Sequence, residues 1–158
     1  MLSLFAGIDA LRRALDLLGV KPIRHIAIEI DAAAARNSSE LYPDVLAFRD
    51  VRDFTREACH NATAGCHIDF VLGMGGSPCQ DLSGVNANRQ GFATERSQLL
   101  FDMVRAWKDV LAEKLKLHYC AENVASMTAD SKAFFSQLLR VMPIRVCASG
   151  ISHCRRPR

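Results

Sequence analysis

A cysteine in a glycine- and proline-rich turn is the residue of this sequence best placed to act as a nucleophile. The segment Gly75-Gly76-Ser77-Pro78-Cys79-Gln80 follows the apolar run 68–72 and opens a polar loop. The two glycines have no side chains that would cover a neighbouring thiol, and the proline restricts the backbone. A reagent could therefore reach a thiol in this turn. A free cysteine is more often a small buried side chain. The polar residues that follow nevertheless favour a nucleophilic role for Cys79.

Carboxylates follow three other short apolar runs. Glu29 lies about 20 residues beyond the first turn, where dinucleotide-binding folds place a carboxylate on a ribose, although an exposed strand-end charge fits equally well. Asp50 could bind an adenine amino group or cap the next helix. Glu122 lies between an apolar run and a polar segment, so it could be partly desolvated and donate a proton or hydrogen bond, or it could begin a helix.

The sequence offers weaker evidence for a phosphate-binding loop or a metal site than for a nucleophile. The segment Phe5-Ala6-Gly7 lacks the rest of a G-x-G-x-x-G motif, so a nucleoside without a pyrophosphate is the better ligand. Cys59-His60 and Cys66-His67 carry zinc-type ligands, but their spacing fits no ordinary zinc pattern, and we predict no metal site.

Composition limits the class of protein. The 158 residues fit one domain, and 49% hydrophobic residues can fill a core. Six scattered cysteines without a CxxC pair predict a reducing, intracellular location. No apolar stretch approaches the ~20 residues that span a bilayer, so we expect no membrane partner. Arginines crowd the C-terminal end and would suit a polyanion, although such a tail is more often a solvated surface.

The elements that must position these side chains follow from the hydrophobic pattern. Short apolar runs alternate with amphipathic segments, which is typical of βαβ units and a parallel sheet. We predict one doubly wound α/β domain with strands at 2–5, 23–28, 45–48, 68–72, 117–121 and 144–148, and helices at 8–18, 31–41, 54–60, 97–114 and 131–140. Asp31 would cap the second helix, and the apolar face of the fourth helix would include Trp107 and Leu111. Ligands bind such sheets at the carboxyl ends of the strands, where the strand order reverses. Five of the predicted ends carry Gly7, Glu29, Asp50, Cys79 and Glu122.

Two motifs in this order resemble the cytosine-C5 DNA methyltransferases, and the similarity covers essentially the whole chain. They are Pro78-Cys79-Gln80 and Glu122-Asn123-Val124. Leu2-Ser3-Leu4-Phe5, Asp50-Val51-Arg52 and the Gly75 to Cys79 segment with Asp81-Leu82-Ser83 look most like the de novo branch of that family. The resemblance implies a Rossmann-like, class I methyltransferase fold that is incomplete at its C-terminal end. It also implies an enzyme that binds S-adenosylmethionine and methylates cytosine in DNA, in the nucleus if the source is a eukaryote.

The resemblance also implies a role for individual residues. Cys79 would add to C6 of a flipped-out cytosine, Glu122 would bind the N3 and amino edge of that base, and Arg156 and Arg158 would lie near the base and its phosphate. The implied contacts to S-adenosylmethionine are Phe5, Gly7, Ile8, Glu29, Ile30, Asp50, Val51, Pro78 and Leu99. The implied DNA contacts are Val85, Asn86 and Arg89.

The chain departs from the family pattern in two places. The first motif normally carries a second glycine, whereas Ile8-Asp9-Ala10 follows Gly7 here. The family also continues beyond the position of Arg158 into further strands, a target-recognition region and a C-terminal helix. We therefore expect residues 1–158 to be the cofactor-binding part of the catalytic domain, with weak or no activity on its own.

Two other functions remain open. The chain could be a catalytically silent module that binds a complete methyltransferase, in a homo- or hetero-oligomer, through a helix face bearing Phe101 and Trp107. It could also methylate cytosine in transfer RNA, although the residues around Pro78-Cys79 fit that activity less well. The presence of both Cys79 and Glu122 favours an enzyme over the silent module, because a scaffold needs neither.

Overall fold

The structure is a computed structural model that describes residues 1–78, 82–83, 95–140, 146–147 and 150–151. Its strands are β1 (Leu2–Leu4), β2 (His25–Ile28), β3 (Val45–Phe48), β4 (Val71–Gly75), β5 (Leu117–Ala121), β6 (Val146–Cys147) and β7 (Gly150–Ile151). Its helices are α1 (Ala10–Leu17), α2 (Ala32–Leu41), α3 (Arg56–Thr63), α4 (Glu95–Ala112) and α5 (Ala129–Leu139).

The main sheet has five parallel strands in the order β3-β2-β1-β4-β5. The chain first adds strands on one side of β1 and then returns to add β4 and β5 on the other side. Leu4 accordingly lies opposite Ile28 of β2 and Gly75 of β4. The strand order therefore reverses between β1 and β4, and the predicted α/β fold with a parallel sheet is confirmed.

The fourth strand is displaced along the sequence from its predicted position. It covers Val71–Gly75, whereas the hydrophobic pattern predicted 68–72. Glycine usually marks a turn, which is why the pattern ended the strand early. Gly75 instead lies inside the sheet, where a β-carbon would come within 2.6 Å of Met103 Sδ and 3.3 Å of Leu4 Cβ. The glycine thus lets α4 pack closely on the sheet.

Helix α4 supplies much of the core. Its buried residues recur every three or four positions, as an amphipathic helix requires: Leu100, Met103, Ala106, Trp107 and Val110. The sequence pattern had placed Leu111 on this face, but that side chain is 52% exposed.

The helix face suggested for a regulatory partner is not a continuous surface. Trp107 is buried and its ring stacks on Tyr119 with centroids 4.4 Å apart. Phe101 is partly exposed and contacts Phe134 instead. The two side chains therefore point into different surroundings, and the prediction that they share a docking face is wrong.

The last predicted strand forms a separate ladder. Val146–Cys147 pairs antiparallel with Gly150–Ile151, a strand that the sequence did not predict. Within the described parts of the chain, no helix is long and apolar enough to cross a membrane.

Candidate functional site

A cleft of about 150 Å³ opens at the point where the strand order reverses. One wall is the end of β1 with the turn that follows it, and the other is the end of β4. Its lining residues are Ser3, Leu4, Phe5, Ala6, Asp9, Ala10, Leu11, Met74, Gly75, Gly76 and Glu122. Parallel α/β sheets bind ligands at this position, because the helices on either side of the reversal diverge and leave space.

Glu122 lies at the mouth of the cleft, directly after β5. Its backbone N–H donates to the Gly75 carbonyl at 2.8 Å, which aligns the ends of the two strands. Its carboxylate lies beside Gly76, where an added β-carbon would be only 2.8 Å from Oε2. The Glu122 side chain is exposed, so the partial desolvation expected from the sequence is not observed.

An asparagine joins the turns that follow β4 and β5. Asn123 Nδ2 donates to the carbonyl oxygen and to Oγ of Ser77, both at 3.3 Å, and its Oδ1 accepts from the Val124 N–H at 2.8 Å. Ser77 is 4% exposed, so this contact is shielded from water. The link fixes the residue before Pro78 relative to Glu122. The sequence had offered Asn123 only as part of a motif, since its partner lies 46 residues away.

Removing this link should cost stability. We expect Asn123→Ala to lower the free energy of unfolding by about 1 kcal/mol, because the shielded Ser77 groups lose a donor. Urea unfolding measures the difference. The matched control is Asn61→Ala on the exposed surface of α3, which should stay within about 0.5 kcal/mol of wild type. Equal values for the two variants would show that the link contributes nothing.

The turn after β1 is held by Glu29. Its carboxylate accepts from the Gly7 N–H at 2.7 Å through Oε2 and from the Asp31 N–H at 2.8 Å through Oε1. Asp31 in turn caps α2 through Ala33 and Ala34, as predicted. Glu29 thus connects the ends of β1 and β2. Ile8 and Ile30 flank this connection, and each is 68% exposed.

The turn after β3 carries Asp50 and Val51. Asp50 Oδ1 accepts from the Arg52 N–H at 2.9 Å, while its Oδ2 lies 3.9 Å from the Arg52 guanidinium. Val51 is buried and contributes to the core. Arg105 of α4 donates to the carbonyl oxygens of Val51 at 2.6 Å and Phe54 at 2.8 Å, which locks this turn onto the helix. Arg105 could not be identified from the sequence pattern, because its partners are about fifty positions away.

Some of the predicted site residues lie at the cleft, and others do not. Phe5 and Glu122 line the cleft, and Gly7 and Glu29 meet beside it. Pro78 and Leu99 are half-buried, and Leu99 packs against the core. Cys79, the implied DNA contacts Val85, Asn86 and Arg89, and the arginines Arg156 and Arg158 lie outside the described residues.

The described cysteines differ in exposure. Burial raises the pKa of the Cys59 thiol to about 11, with smaller contributions from Glu113 and Asp109, so this thiol stays protonated at neutral pH. Cys120 is exposed on β5. His60 next to Cys59 contacts Glu113 rather than a second thiol, and the described residues contain no group of three potential metal ligands.

The sheet order and the cleft at the reversal define a doubly wound, Rossmann-like α/β fold. Two solved structures share it. One is a prophage-encoded E. coli protein described as a DNA modification methyltransferase, with a TM-score of 0.63 and 22% identity over 88% of this chain and 37% of that one. The other is the S. pombe Dnmt2 methyltransferase, with a TM-score of 0.57 and 19% identity over 86% of this chain and 39% of that one.

The family model for C-5 cytosine-specific DNA methylases matches residues 1–142, and the chain belongs to this family. Two curated relatives are the orphan methyltransferases M.Rho11sI of Bacillus phage rho11s and M.SPRI of Bacillus phage SPR. Each is 31% identical over 134 residues, or 84% of this chain. The chain spans 24% of the first relative and 28% of the second.

Proposed function

We propose that the chain acts as a cytosine-C5 DNA methyltransferase, transferring a methyl group from S-adenosylmethionine through a covalent adduct on Cys79. The observation that carries this proposal is the link between Ser77, the residue before the Pro78-Cys79-Gln80 motif, and Asn123 of the second motif. Glu122 lines the cleft, and Asn123 binds Ser77, two residues before Cys79. Membership of the C-5 cytosine-specific DNA methylase family supports the same reaction.

The residues around the cleft suit S-adenosylmethionine. Each Glu29 oxygen already accepts one backbone N–H, and a carboxylate oxygen can accept a second bond, which leaves capacity for ribose hydroxyls. Among the described residues, Asp50 Oδ2 has a single long contact, to Arg52, and it could accept from an adenine amino group. Phe5, Gly7 and Ile8 would take the methionine side, Ile30 and Val51 would complete the nucleoside side, and Pro78 and Leu99 would close the pocket.

In the proposed methyl transfer, Cys79 of the first motif and Glu122 of the second have different roles. S-adenosylmethionine supplies an electrophilic methyl group. C5 of cytosine is a weak nucleophile, so the Cys79 thiolate first adds to C6 and makes C5 electron-rich. Glu122 binds the N3 and amino edge of the base and stabilises the adduct. After C5 has taken the methyl group, it loses its proton, the C5–C6 double bond reforms and the thiolate leaves.

The DNA contacts complete the proposal. A cytosine inside a duplex is out of reach, so the base must be flipped out of the stack. Val85, Asn86 and Arg89 would contact DNA, and Arg156 and Arg158 would bind near the base and its phosphate. The motif residues favour the de novo branch of the family, although the phage relatives, at 31% identity, do not distinguish the branches.

Trapping on a mechanism-based substrate tests this function. A duplex containing 5-fluorocytosine, incubated with the chain and S-adenosylmethionine, should form a covalent complex visible after denaturing electrophoresis, because fluorine cannot leave as a proton does. One slow turnover is enough to trap the chain, so the complex should form even at the weak activity expected of residues 1–158. Cys79→Ser should abolish the complex. The control Cys120→Ser replaces an exposed cysteine on β5 and should retain it.

Other outcomes would identify other functions. If the wild-type chain forms no complex with DNA, the proposal for this chain is wrong, and stimulation of a complete methyltransferase by the same sample would support the regulatory alternative. A complex formed only with 5-fluorocytosine in transfer RNA would replace DNA by RNA as the substrate.

A further inference from the structure

A buried polar cluster adjoins the cleft and is centred on Asp9, the residue before α1. Asp9 and its partner Ser3 also line the cleft. Asp9 is 1% exposed. Its carboxylate accepts from Ser3 Oγ at 2.8 Å, from Ser38 Oγ at 3.3 Å and from His25 Nε2. These partners belong to β1, α2 and β2. One carboxylate therefore joins three separate elements beside the cleft.

Arg12 determines the tautomer of His25 from the side of the ring opposite Asp9. Arg12 Nη1 lies 3.0 Å from His25 Nδ1, and a guanidinium can only donate, so Nδ1 accepts and Nε2–H donates to Asp9. Arg12 also binds Asp44 and Asp16, each at 3.1 Å. The orientation of the histidine is thus set from the side away from the cleft.

The Asp9 carboxylate is stabilised in its charged form. Burial alone would raise its pKa, but the hydrogen bonds from His25, Ser3 and Ser38 outweigh burial and lower the pKa below its usual value. Asp9 is therefore ionised at neutral pH and can accept from all three partners at once.

The turn that Asp9 completes has a backbone conformation that side chains seldom allow. Phe5, Gly7 and Asp9 have φ of 55°, 55° and 62°. Only glycine adopts this left-handed region freely, and other residues remain there when surrounding contacts hold them. Glu29 holds the turn from outside through the Gly7 N–H. Asp9 holds it from inside, through the cluster.

We propose that Asp9 is a positioning residue for the cofactor, whose buried carboxylate holds the turn at residues 5–9 in the shape that forms one wall of the cleft. This inference rests on the proposed function, because it takes the cleft as the site for S-adenosylmethionine. It assigns Asp9 no contact with the reacting atoms. The charge acts by holding Phe5 and Gly7 in place.

The test combines amide hydrogen exchange with cofactor binding. In Asp9→Gly the backbone can keep φ near 62° without a side chain, so any loss reports the missing carboxylate. We expect the amides of residues 7 and 9 to exchange at least tenfold faster than in wild type, while those of β5 stay unchanged. The dissociation constant for S-adenosylhomocysteine, measured by calorimetry, should rise about tenfold. Asp9→Asn keeps the shape without the charge and should be intermediate.

Asp44→Asn is the matched control, because it removes a carboxylate from the opposite end of the same cluster. Asp44 binds Arg12 and is half exposed, so exchange at residues 7 and 9 should match wild type. If Asp9→Gly lowers only the thermal midpoint and leaves exchange at these amides unchanged, Asp9 serves stability alone and the inference is wrong. If wild type fails to bind S-adenosylhomocysteine, the proposed function fails, whereas the exchange rates still decide whether Asp9 holds the turn.

Discussion

Glu122→Gln should slow covalent trapping of 5-fluorocytosine DNA by about 10²- to 10⁴-fold, the range typical for loss of a general acid. Among the described residues, Asp9 and Glu122 are the carboxylates that line the cleft. The Asp9 carboxylate is engaged in the buried cluster, whereas Glu122 is exposed at the mouth. Glutamine keeps the size of the side chain but cannot supply a proton to the ring nitrogen. Single-turnover trapping rates measure the loss.

The same variant should fold and bind cofactor normally. Glu122 contributes its backbone N–H to Gly75, and that bond survives the substitution. The dissociation constant for S-adenosylhomocysteine should therefore stay within about twofold of wild type. Glu57→Gln, in the first turn of α3, is the control for removing an exposed glutamate and should trap DNA at the wild-type rate. Trapping by Glu122→Gln at that same rate would remove Glu122 from the mechanism.

Substituting alanine for Gly75 should lower stability, whereas the same substitution at Gly76 should mainly slow covalent trapping. Gly75→Ala places a methyl group 2.6 Å from Met103 Sδ, and Met103 and Leu4 are both fully buried. Neither can move away without disturbing the core, so we expect the free energy of unfolding to fall by about 1–3 kcal/mol. The thermal midpoint should drop by roughly 2–4 °C per kcal/mol. Urea and thermal unfolding measure both quantities.

Gly76→Ala is the contrasting variant. Its methyl group would come within 2.8 Å of Glu122 Oε2, the end of an exposed side chain that can swing aside. Stability should change by less than about 0.5 kcal/mol. Trapping should fall by up to about 10²-fold, because a displacement near 1 Å can cost that much. Equal destabilisation by the two variants would show that the contacts at Gly75 and Gly76 do not differ as described.

Local patterns in the sequence were enough to predict most of the sheet. The pattern at 117–121 gave β5 with its observed bounds, and Asp31 caps α2 as expected. Parallel pairing then places the polar residues after each strand at one edge, so Glu29, Asp50 and Glu122 could be predicted to share it. Apart from β4, the strands of the main sheet coincide with short apolar runs, which a sequence displays directly.

Features that depend on distant partners could not be predicted. The sequence pattern predicts a turn at Gly75. The reason for a glycine in the strand is the close approach of Met103, which lies 28 positions along the chain. Asp9 has a left-handed backbone conformation that glycine would adopt more freely. Hydrogen bonds to His25 and Ser3 hold Asp9 in that conformation. At this position the sequence departs from the family's first motif, because the second glycine is absent. The structure shows a turn held from two sides instead.

The strand order also determines when the sheet can close during synthesis. β1 lies between β2 and β4, and β4 begins about 70 residues after β1, which is roughly 4–14 s at ribosomal rates of 5–20 residues per second. Until β4 emerges, the β1 edge carrying Leu2 and Leu4 has unpaired backbone groups. The nascent chain therefore passes through a stage in which its most central strand is a sheet edge, open to pairing with another chain.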